Sequence, residues 1–196
     1  MTREERTATS RARILDAAVA CLVESGYAGA TTLRIQARAG VSRGRLLHHF
    51  PSRDQLLVAA SGHLAVERLR GTWERVDELA GLVGAERLDR AIELMWDTFA
   101  ESQFWAAVEL WTAARTRPDL RVVLLPQERD IGAAIRAGMD RLYGDELHGH
   151  PRYAQIRDVI FTSMRGVGLA YAIDRRDPRT DPHLALWKDL ARTLLS

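Results

Sequence analysis

Apolar residues recur at helical spacing along nearly the whole chain, and alternating β-type runs are few. From Ser10 onward Ile14, Ala18, Cys21, Leu22 and Ser25 share one stripe, with Gly26 placed to end it. Thr31 then stands as N-cap of a short helix over 32–39 whose Ile35 and Ala39 face inward. Gly40 supplies a positive φ for a tight turn, and Ser42 caps a second short helix over 43–49. Leu46 and Phe50, four apart, form the buried seam of that helix; Arg43, Arg45, His48 and His49 are left outside. Ser52 and Gln55 form an S-x-x-Q capping box that opens a long helix over 53–80, with Leu56, Leu57, Ala60, Leu64 and Trp73 inward.

Past a break at Gly81-Leu82-Val83-Gly84, the stripe Leu88, Ala91, Ile92, Met95, Phe99 predicts a helix over 86–100. Phe104 to Trp111 continues as another, ending near Pro118. A long segment over 119–142 holds Ile131, Ile135, Met139 and Leu142 inward, and Pro126 should kink or split it. A loop follows over 143–151, then two amphipathic helices over 152–174 and 182–195. The expected fold is all-α with about nine helices: a three-helix helix-turn-helix head over 1–53, and a helical body over 54–196. Residues 1–8 read as a loose arm whose Arg3 and Arg6 could reach phosphates.

Charge sharpens this picture. The net charge of the 196 residues is only +2, yet residues 1–53 hold nine arginines against four acids. The remainder carries 19 basic and 22 acidic residues, so a polyanion partner is expected at one end only. A helix with a sealed seam and a cationic front fits a DNA major groove; it also fits a solvated surface hairpin. With one cysteine, Cys21, no internal disulfide can form, and no apolar stretch approaches membrane-spanning length; a cytoplasmic protein is expected.

The residues Arg13-Ile14-Leu15-Asp16-Ala17-Ala18, Gly26-Tyr27, Thr31, Ile35, Ala39-Gly40-Val41-Ser42, Gly44, Leu46 and His49-Phe50 resemble the N-terminal signature of the tetracycline-repressor (TetR) family over residues 10–57. The pattern departs from the family at Gln36, where Ala is usual, at Leu47, where Tyr is usual, and at Arg53, where Lys is usual. The Tyr commonly donates to a DNA phosphate, which Leu47 cannot do. The resemblance implies that helix 43–49 enters the major groove, with Gly44 permitting close backbone approach. Arg43 and Arg45 are the candidates for guanine edges, since a guanidinium fork matches O6 and N7. Thr31, Ser42, His49 and Arg53 would hold phosphates, Gln36 could reach one from the edge of its helix, and His48 faces outward beside them.

In the body, Trp96, Phe99, Phe104, Trp105 and Trp111 read either as core or as walls of a ligand cavity, with Met139 nearby and Glu109 as polar anchor. The last two helices could complete their own core or pair with a second copy. The resemblance favours a dimer, through Ile160, Ser163, Val167, Ala170, Tyr171, Trp187, Leu190 and Leu194. His148-Gly149-His150 lacks a third ligand at metal spacing, so no metal and no cofactor are expected. Phosphate-cradling loops, H-E-x-x-H and G-x-S-x-G elbows are missing, so no enzymatic activity is expected. The implied function is a ligand-responsive regulator, most simply a repressor, that binds a palindromic double-stranded DNA operator as a homodimer and is released by a small-molecule effector. The alternative is a helical scaffold whose basic head meets another anion.

Overall fold

A computed structural model describes residues 2–100, 102–174 and 176–195. The side chains of Arg3, Arg6 and Trp73, to which roles were assigned above, lie outside what is described. The described residues form ten α-helices: α1 (Arg3–Gly29), α2 (Thr32–Ala39), α3 (Arg43–His49), α4 (Arg53–Glu74), α5 (Gly84–Asp97), α6 (Ser102–Ala114), α7 (Pro118–Tyr143), α8 (Asp145–His148), α9 (Tyr153–Ala170) and α10 (Pro182–Leu195). Short 3-10 turns cover Arg75–Leu79, Thr98–Ala100 and Pro178–Thr180. None of the helices among the described residues is long and apolar enough to cross a membrane.

Three local readings change. Within the expected arm, residues 3–8 are instead the start of α1, opened by a capping box in which Thr2 Oγ1 accepts from Glu5 N and Glu5 Oε2 accepts from Thr2 N. α7 runs unbroken through Pro126. Pro126 and Val122 both lie on the exposed side, so water can satisfy the carbonyl that the proline leaves without a donor. The loop after Tyr143 contains the one-turn helix α8, entered through Gly144 at φ 82°.

The chain divides into two compact units, each made of two stretches: Met1–Arg68 with Ser102–Gly132, and Leu69–Glu101 with Ala133–Ser196. The first unit does not close at residue 53. Its core joins Ile14, Leu22, Ile35, Leu46, Phe50 and Leu57 to Ala106, Leu110, Leu120 and Leu124 from α6 and α7. α6 packs along α1 and brings Ala106 and Leu110 into that core. In the second unit α5 packs on α10 and α10 on α9, burying Leu88, Ile92, Trp96, Ile160, Met164 and Trp187.

Candidate nucleic-acid interface

The turn between α2 and α3 is held at both ends by chemistry local to it. Thr31 Oγ1 accepts from Arg34 N, and Ser42 Oγ accepts from Arg45 N, each at 3.3 Å. Gly40 adopts φ 62°, and its N–H closes the last turn of α2. One long-range contact completes the turn: Arg13 Nη2 of α1 donates to Ala39 O at 2.6 Å. The φ requires glycine, and a Cβ at residue 40 would stand 2.8 Å from that nitrogen, so it would also push the Arg13 guanidinium off the turn.

α3 is consequently fixed with one face sealed and the other open. Leu46 and Phe50 are 1% and 4% exposed, whereas Arg43, Gly44, Arg45, Leu47 and His48 are all exposed. Among the described residues neither the Arg43 nor the Arg45 guanidinium has a hydrogen-bond or ion-pair partner. A Cβ on Gly44 would meet nothing within 4 Å, which leaves a shallow, open strip between the two arginines. Thr31 is exposed and Gln36 half-buried on α2. Arg38, by contrast, is paired with Glu24 at 2.6 Å.

Two expected phosphate ligands sit differently. Arg53 turns toward the end of α1, where its Nε donates to Ala30 O at 2.9 Å and its Nη2 donates to Tyr27 O. Its guanidinium also lies over the Tyr27 ring, 4.2 Å from the centroid. His49 is half-buried, and its Nε2 is buried with no partner among the described residues. Burial first, then the positive charge of His48, Arg45 and Arg11, holds its pKa below the ordinary value.

Sequence reasoning missed the anchor of this head. Gly26 leaves the helical region at φ 65°, and the freed N–H of Tyr27 donates to Glu109 Oε2 of α6 at 2.8 Å. The Tyr27 hydroxyl donates to Asp54 Oδ1 at 2.6 Å. Glu109, expected as a ligand anchor, is thus engaged in holding the kink of α1.

The other expected cavity walls fall in separate units. In the first, Phe104 and Trp105 stack edge-on at 5.3 Å, and Trp111 packs against the core. In the second, Trp96 is 2% exposed, donates through Nε1 to Pro178 O at 2.7 Å, and lies 4.9 Å from Trp187 and 5.8 Å from Phe99. Met139 is buried. A groove of about 440 Å³ in the second unit is lined by Leu82, Val83, Arg87, Tyr143 and Leu147, none of which was expected in a ligand site. The histidines of the 148–150 stretch have protein partners: His148 Nε2 stands 3.9 Å from Asp140 Oδ2, and His150 Nδ1 accepts from Arg152 N at 3.2 Å.

The expected dimer residues also divide. Ile160 and Trp187 are sealed inside the protomer, where Trp187 Nε1 donates to Ser163 Oγ at 3.0 Å. The Tyr171 hydroxyl donates to Asp181 Oδ2 at 2.6 Å. Val167, Leu190 and Leu194 are half-buried and Ala170 is exposed. The side of α9 facing outward is Val159, Thr162, Gly166, Leu169 and, beyond its end, Ile173. This stripe lies opposite the buried line Tyr153, Arg157, Ile160, Met164, Gly168.

A capped short helix, an αL glycine turn and a second capped helix with an open cationic face define a helix-turn-helix head. Residues 14–60 match the family model described as "Bacterial regulatory proteins, tetR family". The HTH-type transcriptional regulator CymR of Pseudomonas putida is 32% identical over 180 residues, covering 86% of this chain and 82% of that protein. An uncharacterized HTH-type transcriptional regulator of Mycobacterium tuberculosis is 34% identical over 125 residues, 63% of this chain; the match spans only 62% of that relative's length. The solved structure of Salmonella enterica GusR aligns over 100% of this chain and 99% of that one, with a TM-score of 0.64 at 20% identity, a likeness of fold. The chain belongs to the tetR family of bacterial regulatory proteins.

Proposed function

We propose that this chain is an effector-responsive repressor that binds a palindromic DNA operator as a homodimer. The observation that carries the reading is the open face of α3, where two guanidiniums, unpartnered among the described residues, flank Gly44 over a sealed seam. Arg43 and Arg45 read base edges, and Thr31, Gln36, Ser42 and His48 line the phosphate approach from the surrounding surface. A two-fold pairing through the outer stripe of α9, with Leu186 of α10, sets two such heads against half-sites one helical turn or a multiple apart. The effector is a small molecule taken up by the body. It releases DNA because it binds one arrangement of the heads more tightly than the other.

The test is affinity selection of random duplexes by the whole chain at about 150 mM salt, followed by titration of the recovered duplex against scrambled DNA. A recovered sequence with two-fold symmetry, bound at least about 10³-fold more tightly than the scramble, supports the reading. Equal binding of both duplexes overturns it.

A further inference from the structure

We infer that Leu47 is a specificity-determining residue of α3, reading a thymine in each half-site through its 5-methyl group. The inference rests on the reading of α3 as the DNA-recognition helix and adds a base and a contact to it. Leu47 is 42% exposed, whereas Leu46 and Phe50 beside it, at 1% and 4%, seal the seam. Every other exposed residue of α3 is cationic, imidazole or glycine, so Leu47 is the aliphatic surface on that face. It stands one turn after Arg43 and Gly44, at i+4 and i+3. The empty space around a Cβ at Gly44 lets the backbone of this turn come close to a groove floor, which brings a short branched side chain within reach of base edges.

What a leucine can contact there is narrow. It donates and accepts nothing, so phosphates and the polar base edges gain nothing from it. The 5-methyl of thymine is the one apolar group that unmodified bases present in the major groove. Leucine against that methyl buries apolar area on both sides, in register with the guanine edges that Arg43 and Arg45 match. The recovered half-site is therefore expected to hold a thymine within a base step or two of a guanine.

The experiment uses the duplex recovered by selection with the whole chain. Each thymine of one half-site is replaced in turn by deoxyuridine, which removes the methyl and keeps the O4 acceptor. Affinity is measured for the unaltered chain, Leu47→Ala and Leu33→Ala; Leu33 is the control, 69% exposed but on α2. One thymine position should cost the unaltered chain about fourfold on replacement, the worth of one buried methyl. Leu47→Ala should bind the thymine and uracil duplexes alike there, whereas Leu33→Ala should keep the discrimination. A scan that is flat for the unaltered chain overturns the inference without needing any variant to fold, as does a thymine preference that survives in Leu47→Ala. Both results leave the DNA-reading function standing. Failure of the initial selection to return a preferred sequence removes that function and this inference together.

Discussion

Glu109 of α6 accepts a hydrogen bond from the main-chain N–H of Tyr27, 82 residues earlier, at 2.8 Å. The bond satisfies a donor released where Gly26 breaks the helical path of α1. Glu109→Ala leaves that amide without its charged acceptor and should lower the stability of the chain by about 1.5–3 kcal/mol. Glu109→Gln keeps an oxygen in place and should recover part of the loss. Urea unfolding followed by helical signal checks the order; an alanine variant as stable as the unaltered chain would contradict it.

Gly26→Ala should be harmful for two separate reasons. Its φ of 65° disfavours any Cβ, and that Cβ would lie 2.8 Å from Glu109 Oε2. Combining Gly26→Ala with Glu109→Ala relieves the second cost and not the first. The double variant should therefore unfold at a lower denaturant concentration than the unaltered chain but lose less than the two single losses added.

Arg53 is placed to hold carbonyls at the end of α1. Lysine preserves the charge but cannot bridge Tyr27 O and Ala30 O with a planar fork. Arg53→Lys and Arg53→Ala should both reduce thermal stability, by about 1–2 kcal/mol, before any DNA is added. A lysine variant with an unchanged melting temperature would return Arg53 to a purely phosphate-facing role.

His49 gives the head an acid-sensitive side. Its folded pKa lies below the ordinary 6.5, so the unfolded chain takes up the proton first as pH falls. The contribution is fully present above pH 6.5 and is lost as pH drops below it toward the depressed folded value. His49→Gln should flatten this part of the stability profile between about pH 7 and 5. An identical slope in the variant would show that other groups set it.

The outer stripe of α9 and the inner one predict opposite consequences. Leu169→Glu with Ile173→Glu places charge on an exposed apolar line and should yield a folded monomer by sedimentation at micromolar concentration. Trp187→Ala removes a side chain 2% exposed and should cost about 3–5 kcal/mol of stability, whatever the oligomeric state. A dimer that survives the double glutamate variant would move the interface elsewhere.

The contrast between these residues also explains what could be read from the sequence. Gly40, Thr31 and Ser42 were legible because each acts on a neighbour within three residues, where residue type nearly fixes the role. The sealed seam of Leu46 and Phe50 followed from spacing alone. Arg13 on Ala39, Arg53 on Tyr27 and Glu109 on Tyr27 join residues 26, 26 and 82 apart, and no local pattern announces such pairs. Pro126 misled because its cost depends on whether the freed carbonyl can reach water. On α9 the apolar residues occupy both faces, so periodicity showed a helix without showing which face the protomer keeps for itself. Trp96, readable as cavity wall or as core, and Trp187, readable as dimer seam or as core, are both buried inside the protomer.

The central claim is that the open face of α3 reads DNA, and the most direct measurement is binding of the Arg43→Ala/Arg45→Ala variant to the selected duplex across a salt series. Both side chains are exposed and unpartnered among the described residues, so the variant should keep its helical signal and melting temperature. The account predicts that preference for the selected duplex over scrambled DNA falls by at least about tenfold, one bidentate base contact being worth 1–3 kcal/mol. It also predicts a shallower dependence of affinity on salt, through the lost positive charge. Unchanged affinity and unchanged preference in a folded variant would contradict the assignment of α3 as the recognition helix.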